Sequence, residues 1–397
     1  MRTTINLILL LLISINTSAQ LKPGFDKYEA KDMIALCNSF SHIQFFNSDK
    51  SITPSDYKKV YTSGVYGLDN KYQIWLKSNV AVIVFRGSTS KKSSWLENIY
   101  SVMIPARGQI ILPGLDTVNY QFAKDDSARV HAGWSLGVSF IIEDLIHEIR
   151  LLNSQGIHDF IITGHSQGGA LAHLTRAFLE NLPSGIIPNR CHFKTYAFAS
   201  PMVGNAAFAK EYKQRFVESK TSYSIVNPED LVPQMPFTIG PNREKIYTIE
   251  NFVELLDSNS STSLWDMAVK SITKVVTKDP IGAYIKMAGN DVYEQIVDVI
   301  GPIGMPEYTR DLIYVPTEER IIIGPFIELE KQIKSKESKN DTLSKQTLEY
   351  RQRLQDLRGG KMYQHKPYNY YLFFLKEFII DDYRAIIAEE RDSWNQP

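Results

Sequence analysis

Only two cysteines occur in the chain, Cys37 and Cys191. So few argue against a disulfide-stapled scaffold and against zinc sites built from paired cysteines. The spacing has no signature, so a bond between them and two separate buried thiols both stay open. Net charge is missing as well: 44 Lys plus Arg balance 44 Asp plus Glu. That argues against a broad basic nucleic-acid surface and against a strongly acidic tail. Long apolar runs are missing after the first twenty residues. The later ones, such as Ala81 to Phe85, have the length of a strand, whereas a bilayer span needs about 20 residues. Glycine and proline, 22 and 18 residues of 397, are not enriched, which excludes collagen-like and low-complexity chains. Hydrophobic residues make up 43%, enough for a sizeable core without metal or disulfide staples.

The first residues read differently. Met1-Arg2 is followed by an apolar stretch from Leu7 to Ile15 and then by Thr17-Ser18-Ala19. A positive start, a short apolar centre and small residues make a secretory signal peptide, with cleavage expected after Ala19. The implied protein is secreted or periplasmic. No cysteine follows the stretch, so nothing supports a lipid anchor there.

Further along, strand and helix patterns alternate. Tyr72 to Leu76 and Val80 to Phe85 read as strands, the second apolar throughout, as in a parallel sheet covered on both faces. A helix is expected from about Tyr28 to Phe40, another from about Leu136 to Leu152, and a third from Ala170 to Leu182. Asp159 to Thr163, Lys194 to Ala199 and Tyr223 to Asn227 are further strands. The alternation predicts an α/β fold with a mostly parallel central sheet and helices on both faces. Between about Ile246 and Ile300 short helices are expected. Leu312 to Val315 and Arg320 to Ile323 read as a strand pair at a sheet edge, and the charged stretch from Glu328 to Arg358 as a solvated helix or hairpin.

Gly164-His165-Ser166-Gln167-Gly168-Gly169 carries the chemistry. It fits the G-x-S-x-G nucleophile elbow and lies between a strand-like and a helix-forming run, the context that motif needs. Glycines at 164 and 168 are required sterically, because a sharp turn brings neighbouring elements close. The turn lifts Ser166 above the sheet edge and sets the Gln167 N–H beside a developing oxyanion. A serine hydroxyl needs a base, and on this architecture the order is Ser, then Asp or Glu, then His. Three histidines follow Ser166. His173 falls too far down the next helix, and His192 precedes the strand whose end should bear the acid. His365, just before the apolar run from Tyr370, is left. Asp230, beyond the strand ending near Val226, is the chosen acid, with Glu229 as the adjacent alternative. Ser88, in the loop Phe85-Arg86-Gly87-Ser88-Thr89, is the candidate second oxyanion donor.

These segments together resemble the class 3 lipase family, the fungal-lipase-like branch of the α/β hydrolases. Val84 to Ser88 resembles its oxyanion segment, and Val130-His131-Ala132-Gly133-Trp134 its V-H-x-G-F segment. Gly164 to Gly169 resembles G-H-S-x-G-G. Ala199 to Asn205 and Asn227 to Pro236 resemble S-P-R-V-G-N and N-x-x-D-x-V-P-x-x-P. Gln167 stands where many members have Leu, and Met202 where Arg is usual. The resemblance implies a Ser166–Asp230–His365 triad and one hydrolase domain over residues 20–397, interrupted by an insertion at 237–360. It also implies a short lid after the oxyanion loop, where Trp95, Leu96 and Ile99 form an apolar side that closes over the site in water and opens at a lipid surface.

The expected activity is that of a triacylglycerol lipase, with a phospholipase or carboxylesterase as alternatives and a non-catalytic hydrolase-fold binding protein as a remote one. The expected partner is a lipid or other ester substrate, not a nucleic acid. No cofactor is implied: neither H-E-x-x-H nor a phosphate-binding Gly-Lys-Ser/Thr loop is present. The leader reading predicts Gln20 as the first residue of the exported protein. N-terminal sequencing that returned Met1 would contradict it.

Overall fold

Val80–Phe85 is apolar at every position because both of its faces are covered. Ala81, Ile83 and Phe85 enter one core while Val82 and Val84 enter another, following the two-residue period of a strand. The computed structural model describes residues 21–40, 52–114, 117–236, 280–317, 319–324 and 364–394. Within them Lys58–Thr62 (β1), Tyr72–Lys77 (β2) and Val80–Phe85 (β3) form an antiparallel edge. Asp159–His165 (β8), His192–Phe198 (β9), Ser222–Val226 (β10) and Arg320–Ile322 (β11) then extend the sheet from β3, all in parallel. The order β1-β2-β3-β8-β9-β10-β11 is that of a mostly parallel seven-stranded sheet. Four short strands lie outside it. Met103–Pro105 (β4) pairs with Arg129–His131 (β7), and Arg107–Ile111 (β5) with Thr117–Gln121 (β6).

The helices divide between the two faces. Lys27–Ser39 (α1) packs on one face. Lys92–Ile99 (α2), Ala132–Ser154 (α3) and Gln167–Leu179 (α4) lie on the other, followed by Ala206–Tyr212 (α5). Pro280–Tyr284 (α6) and Val292–Ile300 (α7) add Tyr284, Val292 and Ile296 to the core shared with α3 and α4. Pro367–Phe378 (α8) returns to the α1 side with Tyr370, Phe373 and Phe374, and Ile380–Trp394 (α9) follows it. Helices on both faces of this sheet, with a sharp strand-to-helix turn at its centre, make an α/β-hydrolase fold. Among the described residues no helix is long and apolar enough to cross a membrane.

Several expectations shift. α3 starts at Ala132 rather than Leu136, because the His131 imidazole caps it: Nδ1 accepts the Trp134 N–H at 3.2 Å. α4 starts at Gln167, not Ala170, since the turn is a single residue. Arg320–Ile322 is an edge strand, but it does not pair with Leu312 to Val315. It runs parallel to β10, covering an edge whose hydrogen-bonding groups would otherwise stay open. Val315 instead bridges Gly204. Cys37 and Cys191 are not bonded to each other. Cys37 is buried with Sγ 3.6 Å from Thr163 Oγ1, and burial pushes its thiol up to about 12, so it stays protonated and inert. The leader, the expected helices between 246 and 279 and the charged stretch 328–358 lie outside the described residues.

The central strand should dominate stability. Ile162 on β8 is wholly buried. Ile162→Ala is expected to lower unfolding free energy by about 2–5 kcal/mol in a urea titration; a change below about 1 kcal/mol would contradict the packing described.

Candidate active site

β8 ends at His165 and α4 begins at Gln167, so Ser166 alone makes the turn. Its backbone has φ 61° and ψ −129°, a conformation that costs a non-glycine residue on the order of 1–3 kcal/mol. Close packing holds it there. A Cβ on Gly164 would stand 2.2 Å from the Gly168 carbonyl group, and one on Gly168 would stand 2.4 Å from the Phe85 carbonyl oxygen. Both glycines are therefore fixed by sterics, as the motif implies. The Ser166 N–H donates to the Phe198 carbonyl at 2.9 Å, which ties the turn to β9.

The three residues expected to act together meet. His365 Nε2 lies 2.8 Å from Ser166 Oγ, and His365 Nδ1 lies 2.7 Å from Asp230 Oδ2. His365 precedes α8, whose N-cap is Lys366 and whose first residue is Pro367, a residue suited to that position. Asp230 follows β10, and its Oδ1 accepts the Val232 N–H at 3.0 Å. Glu229 is exposed, whereas Asp230 is buried. Relative exposures are 8% for Ser166 and 2% each for Asp230 and His365. His173 instead pairs with the Tyr212 hydroxyl and His192 with Asp159. His165 is buried with its ring 4.7 Å from that of His365, and burial holds it well below the usual histidine range, hence neutral.

The two expected oxyanion residues are adjacent. Gln167 opens α4, so its N–H has no partner within the helix. The loop after β3 passes close to the serine: a Cβ on Gly87 would be 3.6 Å from Ser166 Cβ. The Ser88 hydroxyl donates to Gln167 Oε1 at 2.9 Å and accepts from Asn98 Nδ2 at 2.9 Å. On α2, Trp95 and Leu96 are buried and Ile99 is half-buried. Met202 lies in a small apolar cluster with Met103 and Tyr314, in place of any polar contact.

Three participants have no motif in the sequence. Tyr370 donates its hydroxyl to Asp230 Oδ2 at 2.7 Å and accepts the Asn227 N–H at 3.1 Å. In the sequence it reads as one more aromatic of an apolar run. Asn98 receives the Trp134 indole N–H at 3.0 Å while it donates to Ser88. Glu97 is fully buried on α2 and accepts from Asn70 Nδ2 and Gln167 Nε2. Burial pushes its carboxyl up to about 8. Because the folded value is raised, ionisation drains stability as pH climbs from the ordinary carboxylate range toward 8. The one available signal was the acid's place beside Trp95-Leu96, and that pattern equally fits an exposed charge.

A serine on a strained strand-to-helix turn, with acid and histidine delivered in the order Ser, Asp, His, defines an α/β hydrolase site. A family model described as Lipase (class 3) matches residues 82–239. Over that segment, about two fifths of its length, the chain is similar to the class 3 lipase family. Secreted mono- and diacylglycerol lipase A of Penicillium cyclopium is 27% identical over 192 residues, 48% of this chain and 49% of that protein. The chloroplastic phospholipase A1-Ialpha2 of Arabidopsis thaliana is 29% identical over 188 residues, 44% of this chain and 36% of that protein. The chain thus spans about half the length or less of these curated relatives. Among solved structures, the native Rhizomucor miehei lipase propeptide complex aligns at a TM-score of 0.38 and 20% identity, covering 54% of this chain and 65% of that one. Lipase II from Rhizopus niveus aligns at 0.36 and 22% identity, covering 53% and 72%.

Tyr370→Phe removes a hydrogen bond to a carboxylate and keeps the ring. It is expected to cost about 1.5–3 kcal/mol in chemical denaturation, the range for bonds to charged groups. No measurable loss would mean that Asp230 does not depend on it.

Proposed function

We propose that this chain is an exported serine ester hydrolase that cleaves acyl esters of glycerolipids through an acyl-enzyme. The observation that carries the reading is the pair of hydrogen bonds running from Ser166 through His365 to Asp230, all three side chains being buried. With Nδ1–H donated to Asp230, the Nε2 lone pair of His365 points at the Ser166 hydroxyl and accepts its proton. Ser166 Oγ attacks the ester carbonyl carbon, its proton passes to Nε2, and the carbonyl π pair moves onto oxygen. Asp230 stabilises the imidazolium so formed. The Gln167 N–H, with Ser88 from the neighbouring loop, stabilises the oxyanion. Collapse expels the alcohol oxygen, which takes the proton from Nε2 and leaves the acyl group on Ser166. Water then gives a proton to the same nitrogen and attacks the acyl carbon, releasing the acid and restoring the serine.

The names of the relatives, a mono- and diacylglycerol lipase and a phospholipase A1, support a glycerolipid ester. The leader pattern and the description of the first relative as secreted support export. Residues 20–397 are read as one hydrolase domain with an insertion at 237–360, a view supported by the packing of α6 and α7 into the main core and of β11 onto the sheet. Lid opening at Trp95, Leu96 and Ile99 would mean exposing buried Leu96 and releasing the bonds of Glu97 and Asn98 on α2. A rise in specific activity above the micellar limit of a substrate would support such an opening.

Hydrolysis of p-nitrophenyl butyrate and palmitate by wild type, Ser166→Ala and His365→Ala tests the reading. Both variants are expected to lose about 10⁴-fold or more in kcat while staying folded. Near-normal turnover by His365→Ala would contradict the assignment of the base, and inert wild type the enzyme reading itself.

A further inference from the structure

Behind the two oxyanion residues lies a largely buried polar cluster drawn from four segments. Gln167 is its hub. Its Nε2 donates to Glu97 Oε1 at 2.8 Å and approaches Asn70 Oδ1 at 3.4 Å. Its Oε1 accepts the Ser88 hydroxyl at 2.9 Å and the Ser94 hydroxyl at 3.2 Å. Asn70 Nδ2 donates to the second Glu97 oxygen at 2.5 Å. α3 leaves room for the acid only because it is glycine there: a Cβ on Gly137 would stand 2.5 Å from Glu97 Oε1, and one on Gly133 would overlap the Glu97 carbonyl oxygen. A carboxyl built into such a confined place, touching the side chain of one oxyanion residue that itself holds the hydroxyl of the other, has a consequence for the reaction.

We propose that Glu97 is a positioning residue for the oxyanion site: through the Gln167 side-chain amide it decides whether the Ser88 hydroxyl is free to donate to the oxyanion. The inference rests on the esterase reading of Ser166, Asp230 and His365. Ionised Glu97 can only accept, so it draws both amide nitrogens toward it, the arrangement observed here. Gln167 then turns its oxygen to Ser88 and holds that hydroxyl proton. Protonated Glu97 must donate, and the Gln167 oxygen becomes its acceptor once the amide turns over. Nε2 then donates to Ser88 Oγ, the Ser94 hydroxyl accepts in place of donating, and the Ser88 proton is released for the substrate.

The charged surroundings of Glu97 are few. From the turn before β2, Asp69 lies close enough to disfavour its ionisation, and Asp69 is itself paired with Arg86 and Lys91. α3 contributes Gly133 and Gly137, and α4 contributes Gln167. Burial is the largest influence and places the change near pH 8, above the usual range of a histidine base.

The test is the pH dependence of kcat for p-nitrophenyl butyrate between about pH 6 and 9.5, with wild type, Glu97→Gln and Ser88→Ala, each checked for folding by thermal melting. Wild-type kcat is expected to fall about threefold to tenfold as pH rises through about 8, less than the loss of a complete oxyanion donor, with KM changing less than twofold. Glu97→Gln cannot ionise, so its fall should vanish. Ser88→Ala keeps the backbone N–H but lacks the hydroxyl, so it should start lower and also show no fall. A fall that persists unchanged in either folded variant would overturn the inference while leaving the serine hydrolase reading intact. Wild type inert at every pH would overturn both.

Discussion

The structure depends on one close approach, that of Gly168 to the end of β3. Because no side chain intervenes, α4 can start one residue after β8 and Ser166 is driven into a backbone conformation that no unstrained turn would give it. Everything at the site is placed from that point. The same turn sets the Gln167 N–H at the helix start, brings the Ser88 loop alongside and leaves Ser166 Oγ within reach of His365, with Asp230 following β10 and His365 preceding α8. The strain is held by the two cores on either side of the sheet, which fix β3, β8 and β9 so tightly that the turn has nowhere to relax.

Asp230 and His365 come from distant parts of the chain, yet both are anchored locally. Asp230 is held by the Val232 N–H and by Tyr370, and Tyr370 lies on the helix that begins just after His365. Asp230 and His365 therefore share a brace. The long stretch between them does not need to set their geometry, since α8 docks by its own apolar face, Tyr370, Phe373 and Phe374, against the sheet. This explains how a long stretch of chain between Asp230 and His365 is compatible with their pairing. Its described parts, α6, α7 and β11, extend the core and the sheet edge and leave the serine turn as it is.

Much of this was legible in the sequence, for physical reasons that differ by element. β3 and β8 could be read because strands buried on both faces must be apolar throughout. Ser166 could be read because its turn tolerates only glycine at two neighbouring positions, and His365 because the order of the chain leaves few histidines to serve. The start of α3 was not legible: a histidine cap leaves no periodic signal. Nor was the pairing of β11, since three residues of edge strand look alike whichever neighbour they join. The polar brace was the least visible. Tyr370 hides in an aromatic run and Glu97 in the segment read as a lid, and only the fold reveals that both are buried.

The central claim is that Ser166 is made nucleophilic by His365. Labelling by a fluorophosphonate, followed by mass spectrometry of the modified peptide, tests it most directly. The account predicts a single modified residue, Ser166, in wild type, and labelling slowed by orders of magnitude in folded His365→Ala. Modification of another serine, or equal labelling rates with and without His365, would contradict it.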